Sequence, residues 1–223
     1  NDNTKMTGLS FAGTPSNVEV ADYNNDGFLD LFITDLSGEN HTIFKNMNDG
    51  SFEKDNQVLS QINELDSFAG IQAEFFDVDN DGNLDLLVSG SPTSKENYSS
   101  GLLLLHHNGQ GGFDNISSIL PNNTGLIEQI RTDDIDNDGD LDIILLDDRG
   151  NLRVLRNDGG NINNYLKVRL AGLRTGSSKN NYFGFGSKLE IKSEGLYQMR
   201  AVAKPITHFG LGSREEADIV RVV

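Results

Sequence analysis

The sequence predicts an all-β protein: a partial β-propeller of three four-stranded blades, followed by a small C-terminal β domain. Three observations carry this. The pattern D-x-[DN]-x-D-G-x-L-D occurs at Asp22–Asp30, Asp77–Asp85 and Asp134–Asp142. Its copies begin at residues 22, 77 and 134, spaced by 55 and then 57 residues, the signature of a repeat architecture. Each copy runs directly into a short apolar segment, Leu31–Thr34, Leu86–Val88 or Ile143–Leu146, bounded as buried strands are.

The spacing of the acidic residues has a chemical meaning. Hard cations such as Ca²⁺ take six to eight oxygens at short range. Side chains at positions 1, 3, 5 and 9 of a tight loop, with the carbonyl of position 7, can converge on one point. The glycine at position 6 sits where the loop turns sharply, because glycine enters positive φ cheaply. Three Ca²⁺ sites follow: Asp22, Asn24, Asp26, Asp30 and the Phe28 carbonyl; Asp77, Asp79, Asp81, Asp85 and the Asn83 carbonyl; Asp134, Asp136, Asp138, Asp142 and the Asp140 carbonyl. An EF-hand begins alike but needs a Glu at position 12 and flanking helices. Position 12 here is Ile33, Val88 or Leu145, so the loops join strand to strand. The competing reading is an Asn/Asp-Gly hairpin without metal; three copies with a fixed ninth-position Asp weigh against it.

Each unit reads in order. A strand enters the loop at Val18–Ala21, Gln72–Phe76 and Ile127–Thr132, and a second leaves it. A third follows at Thr42–Asn46, Leu102–His106 and Leu152–Asn157, and then a turn rich in Asn, Asp and Gly. A fourth opens on an aromatic, at Ser51–Glu53 and Gly112–Asp114; the third unit has no clear fourth strand. Residues 1–163 thus divide into blades at about 10–60, 65–120 and 121–163. Closed propellers have about 4–8 blades, so the expectation is a fragment, further blades outside the chain, or an open wedge. From Asn164 the acidic motif stops and Lys and Arg become commoner. Strands are expected at Tyr165–Leu170, Lys188–Lys192, Tyr197–Val202 and Ala217–Val223, with a polar loop at Arg174–Asn181, making residues 164–223 a separate, truncated β domain. No helix is expected.

The 223 residues contain 24 Gly, 4 Pro and no Cys, which excludes disulfides and thiol chemistry. Net charge is −16, and the three loops hold eleven of the 34 acidic side chains. Three bound Ca²⁺ would leave −10. That surplus argues against nucleic acid or an anionic membrane as partner. No stretch approaches the ~18 apolar residues of a membrane span. The start at Asn1 rather than Met reads as a mature or trimmed product.

These repeats resemble the FG-GAP/VCBS family, the calcium-binding blades also seen in integrin α-chain propellers. The loop is matched at all three sites, with Asn24 as the permitted exchange, and the N-x-G-x-F turn is matched at Asn48–Phe52 and loosely at Asn108–Phe113. The tail resembles the ASPIC/UnbV domain at Asn164–Leu170, Gly186–Ile191, His208–Gly212 and Ala217–Val222. It departs from that family in lacking a Trp-Pro segment after Val223. The resemblance implies an exported, extracellular or cell-surface protein, chiefly a non-enzymatic scaffold binding a protein or glycan ligand at its loops.

Other chemistry is weaker. His106-His107 could ligate a transition metal, but such a pair at a strand end more often has one ring inward and one outward. His208 reads as a turn residue making local hydrogen bonds. No G-x-S-x-G elbow or phosphate loop is present. Closely spaced carboxylates suited to glycoside hydrolysis sit in the metal loops, where they would be coordinated instead. The sequons at Asn40, Asn97, Asn115 and Asn122 are chance in an Asn-rich chain. Two alternatives stand beside the binding module: a structural subunit of a surface assembly, and the scaffold of a polysaccharide-acting enzyme.

Overall fold

Strands built from Val, Ile, Leu and Phe, separated by Asn-, Asp- and Gly-rich turns, fold into antiparallel sheets, 47% strand and 6% helix. The computed structural model describes residues 7–63, 68–93, 100–172 and 181–223. The first sheet comprises β1 (Pro15–Ala21), β2 (Asp30–Asp35), β3 (Thr42–Asn46) and β4 (Phe52–Lys54), paired in that order. The second repeats it with β5 (Phe68–Phe76), β6 (Asp85–Pro92), β7 (Leu102–His107) and β8 (Phe113–Asn115). The third has only three strands, β9 (Ile127–Asp133), β10 (Asp142–Asp147) and β11 (Leu152–Leu155). The expected four-stranded third unit is corrected: after β11 the turn at Asn157–Gly160 leads through a 3₁₀ turn, Gly160–Ile162, into another sheet.

Between the first two sheets lies an unexpected helix, α1 (Asn56–Asn63). Asp55 caps it, accepting hydrogen bonds from the backbone N–H of Gln57 and Val58, both at 3.0 Å. The other Asp55 oxygen accepts the Tyr23 hydroxyl at 2.6 Å. Val58 is thereby buried among Tyr23, Phe32, Leu86 and Phe113. So short an apolar stretch is not legible as a helix without that cap and its partner.

The three sheets lie against one another through their first strands. Asn17 accepts the Ala73 N–H at 3.2 Å, Gln72 accepts the Ile130 N–H at 3.0 Å, and Glu74 accepts the Thr132 N–H at 3.1 Å. Side chains of one first strand thus satisfy backbone donors of the next. Two apolar cores fill the spaces between sheets, one around Phe32, Ile43 and Leu86, the other around Leu87, Leu104, Ile130 and Leu145. The outer faces of the stack are uncovered: Val18 and Val20 at one end are 51% and 47% exposed, Leu152 and Val154 at the other 71% and 50%.

The C-terminal strands form a two-stranded sheet, β12 (Asn164–Val168) with β15 (Thr207–Gly212), and a three-stranded one in the order β14 (Leu196–Ala201), β13 (Lys188–Ser193), β16 (Ile219–Val222). They enclose a core of Leu189, Ile191, Val202, Phe209 and Leu211. His208 lies in β15, not in a turn. Residues 174–180 of the expected polar loop lie outside the described residues, as does Asn97. No helix among the described residues is long and apolar enough to cross a membrane.

His41 closes the contact between the first two sheets. Its Nδ1 accepts the Asp35 N–H at 3.2 Å, so the neutral ring carries its proton on Nε2 and donates to the Phe68 carbonyl at 2.8 Å. Burial holds its pKa below the ordinary value. Protonation at Nδ1 would set two donors face to face. The unfolded chain takes up that proton first, near pH 6.5. The His41 contribution to stability is therefore complete above that pH and falls as pH drops below it. NMR titration of the His41 ring is expected to give an apparent pKa below that of an exposed imidazole, and a value at or above it would defeat this assignment.

Candidate metal centre

The three acidic loops fold alike. Positions 4 and 6 both take the left-handed conformation: Asn25 and Gly27 (φ 57° and 90°), Asn80 and Gly82 (59° and 96°), Asn137 and Gly139 (62° and 106°). Asn is among the few non-glycine residues that enter this region readily. The two reversals coil the chain so that successive carboxylates share one concave side.

The side chains then turn onto the loop's own backbone. The first Asp accepts from the N–H of position 6: Asp22 from Gly27 at 2.9 Å, Asp77 from Gly82 at 2.9 Å, Asp134 from Gly139 at 3.0 Å. Position 3 accepts from position 5: Asn24 from Asp26 at 3.0 Å, Asp79 from Asp81 at 3.2 Å, Asp136 from Asp138 at 3.2 Å. Position 5 accepts from position 7: Asp26 from Phe28 at 3.0 Å, Asp81 from Asn83 at 2.7 Å, Asp138 from Asp140 at 3.3 Å. The ninth-position Asp reaches the third strand and binds the N–H of Asn46, His107 or Asn157 at 2.7–2.8 Å.

Ligand atoms come together within 4.8 Å in each loop: Asp22, Asp26 and Asp30; Asp77, Asp79 and Asp85; Asp134, Asp136 and Asp138. In the third loop Asp142 stands outside that cluster, both its oxygens held by backbone N–H groups, of Ile135 and Asn157. Two buried carboxylate oxygens, Asp30 Oδ2 and Asp134 Oδ1, have no hydrogen-bond partner. Burial pushes Asp22 up to about 6 and Asp30 and Asp77 up to about 7, and drives Asp85 well above the usual carboxylate range. Such a group of buried oxygens is stabilised only by a proton or a cation. All-oxygen sets of this kind suit Ca²⁺, and the residues present fit it. Asp22, Asn24, Asp26 and Asp30 would hold the ion in loop one, Asp77, Asp79, Asp81 and Asp85 in loop two, and Asp134, Asp136 and Asp138 in loop three.

Two sets of residues escaped the reading by sequence. One is the position-4 asparagine; its recurrence as Asn25, Asn80 and Asn137 was the available signal. The other is a basic group supplied by the end of each third strand, of which the sequence singled out only His106. Lys45 lies 3.6 Å from Asp26, His106 3.2 Å from Asp79, and Arg156 3.1 and 3.5 Å from Asp136 and Asp138. Each immediately precedes the segment that opens the Asn-rich turn. In loop two alone this residue can itself ligate, and His106 joins Asp79 and Asp81 within 4.8 Å. Loop three carries a second cation, Lys167 of β12, paired with Asp134.

Asn80 is the junction between loop two and its surroundings. It is fully buried. Its amide donates to the carbonyls of Gly139 and Gly160 at 3.0 and 3.1 Å, and its side-chain oxygen lies 2.6 Å from Nε2 of His208. Its own carbonyl accepts the Gly212 N–H at 2.7 Å. His208 thus makes a contact 128 residues distant in sequence, not a local one.

Residues 22–88 match the FG-GAP-like repeat. That stretch holds the first two acidic loops and the strands between them. No curated protein matches the chain. Among solved structures, a lectin of Agrocybe aegerita, described for its specific recognition of non-reducing terminal N-acetylglucosamine, is similar at 19% identity and a TM-score of 0.37. The alignment covers 65% of this chain and 40% of that one, so the chain spans two fifths of the lectin's length.

Asn80→Ala would strand the His208 nitrogen and two carbonyls and place alanine at positive φ. A loss of about 1–3 kcal/mol in stability is expected, measured by chemical denaturation. Asn25→Ala, at a half-buried loop position, is expected to cost less.

Proposed function

We propose that this chain is a non-enzymatic, calcium-stabilised binding module of an exported protein. Residues 1–163 would be three blades of a partial propeller, each loop holding one Ca²⁺. Residues 164–223 would be an ASPIC/UnbV-like domain, a reading that rests on the resemblance of its residues alone. The observation that carries the metal reading is the common loop conformation. Each loop turns its first, third and fifth side chains onto its own backbone, and in loops one and three a buried ligand oxygen, Asp30 Oδ2 or Asp134 Oδ1, is left with no donor. The FG-GAP-like match over residues 22–88 supports it independently.

The role assigned to the ions is structural. A divalent cation offsets the repulsion among carboxylates and pins the hairpin that joins the first two strands of each sheet. Extracellular calcium meets that need and cytosolic calcium does not, which is why export is part of the proposal. Ligands, a protein or a glycan, would be met by loops held on this rigid scaffold. With a site Kd of ~10⁻⁵ M, millimolar Ca²⁺ would add about 2.7 kcal/mol per site. Calorimetric melting in EDTA and in 1 mM CaCl₂ is expected to differ by many degrees, and Asp30→Asn is expected to remove part of that difference. Identical melting curves would defeat the proposal.

A second reading, a structural subunit of a larger surface assembly, is favoured by the uncovered apolar faces at Val18 and Val20 and at Leu152 and Val154. Light scattering coupled to size exclusion is expected to give a mass above the 24.4 kDa of one chain if those faces are used between copies.

A further inference from the structure

A cavity of about 290 Å³ lies between the first strands β1, β5 and β9 on one side and β14 with the segment after it on the other. Phe75, Met199 and Ile206 supply apolar wall, and Glu19 and Glu74 supply carboxylates. It is distinct from the acidic loops, although Asp22, Asp77 and Asp134 reach its edge.

The hydrogen-bonding inventory of this wall is lopsided. Its cations already have acceptors. Lys204 donates to the Thr132 carbonyl at 2.5 Å and lies 3.7 Å from Glu74 Oε1, Lys167 pairs with Asp134, and Arg200 donates to the Met199 carbonyl and to Gln198, each at 3.0 Å. Its glutamates are only partly supplied with donors. Glu74 Oε1 accepts from the Thr132 N–H and hydroxyl, but Oε2 is buried with no partner. The Glu19 carboxylate accepts no hydrogen bond among the described residues. Burial, and then the charge of Glu74, push Glu19 up to about 7, although Arg131 and Lys204 pull the other way. A buried carboxylate without a donor costs stability until something supplies one.

We propose that this cavity binds a primary ammonium group carried on an apolar stem, the ammonium lying between Glu19 and Glu74 and the stem along Phe75 and Met199. An ammonium brings three donors and a positive charge, which matches the unpartnered Glu74 Oε2 and the Glu19 carboxylate beside it. A neutral hydroxyl brings one donor and no charge, and an anion would add to the repulsion. The apolar wall accommodates methylene groups, as pockets for amphipathic ligands do. The chemistry is shared by a free alkylamine and by the lysine side chain of a peptide.

The test is titration of the full chain, in calcium at pH 7.5, with n-butylammonium chloride, Nα-acetyl-lysine amide and 1-butanol, followed by calorimetry and by NMR shifts of Glu19, Glu74 and Met199. Saturable butylammonium binding is expected, with butanol at least tenfold weaker. Glu19→Gln is expected to weaken butylammonium binding about tenfold or more, as loss of a charged hydrogen bond does. Binding of acetyl-lysine amide as well assigns the site to peptide lysines, and its failure beside butylammonium binding assigns it to free amines. Equal binding of butanol, or no binding of either amine by the wild-type chain, overturns the proposal whatever the variant does. Calcium stoichiometry measured on the same sample reports separately on the loops, so the two readings stand or fall apart.

Discussion

Carboxylates placed at every second residue of a tight loop repel one another, and the way these loops answer that repulsion governs the rest of the molecule. Two unit charges 4 Å apart cost about 4 kcal/mol at the effective dielectric near a protein surface. Left-handed turns at positions 4 and 6 aim backbone N–H groups at the carboxylates, so much of their charge is met from within the loop. What remains calls for positive charge from outside. The ninth-position Asp extends the effect: by accepting the N–H of Asn46, His107 or Asn157, it fastens loop to third strand and so sets the register of each sheet.

The three loops share a backbone but not a neighbourhood. Lys45 beside loop one is a partly exposed point charge. Beside loop two stands an imidazole able to ligate, and beside loop three a guanidinium and an ammonium together. A divalent ion entering loop three would compete with Arg156 and Lys167, and one entering loop one with the single charge of Lys45. The sites are therefore chemically unequal despite their common motif.

Loops two and three also anchor the C-terminal sheets. Asn80 meets His208 and Gly212, Asn163 donates to the Asp79 carbonyl at 2.8 Å, and Lys167 meets Asp134. The conformation that gathers the carboxylates thus also presents the groups on which β12 and β15 rest. The cavity between the first strands of the sheets and β14 with the segment after it is a by-product of that arrangement, walled by residues from both.

Local chemistry was written plainly in the chain. The acidic spacing, the glycines at positive φ, the apolar runs after each loop and the aromatic starts of β4 and β8 depend only on residues a few positions apart, and the strands follow from them. Position-4 asparagines are equally local, and their recurrence marks the second left-handed residue of each loop. Helix α1, by contrast, depends on Tyr23 reaching Asp55, and β15 exists because Tyr165 and Lys167 pair with Gly210 and His208. The basic partners of each loop, the role of Asn80 and the donor-poor glutamates of the cavity likewise arise between residues tens of positions apart. Periodicity reports what neighbours along the chain can do; which charge faces which, and which carboxylate is left without a donor, is decided only when distant strands are brought together.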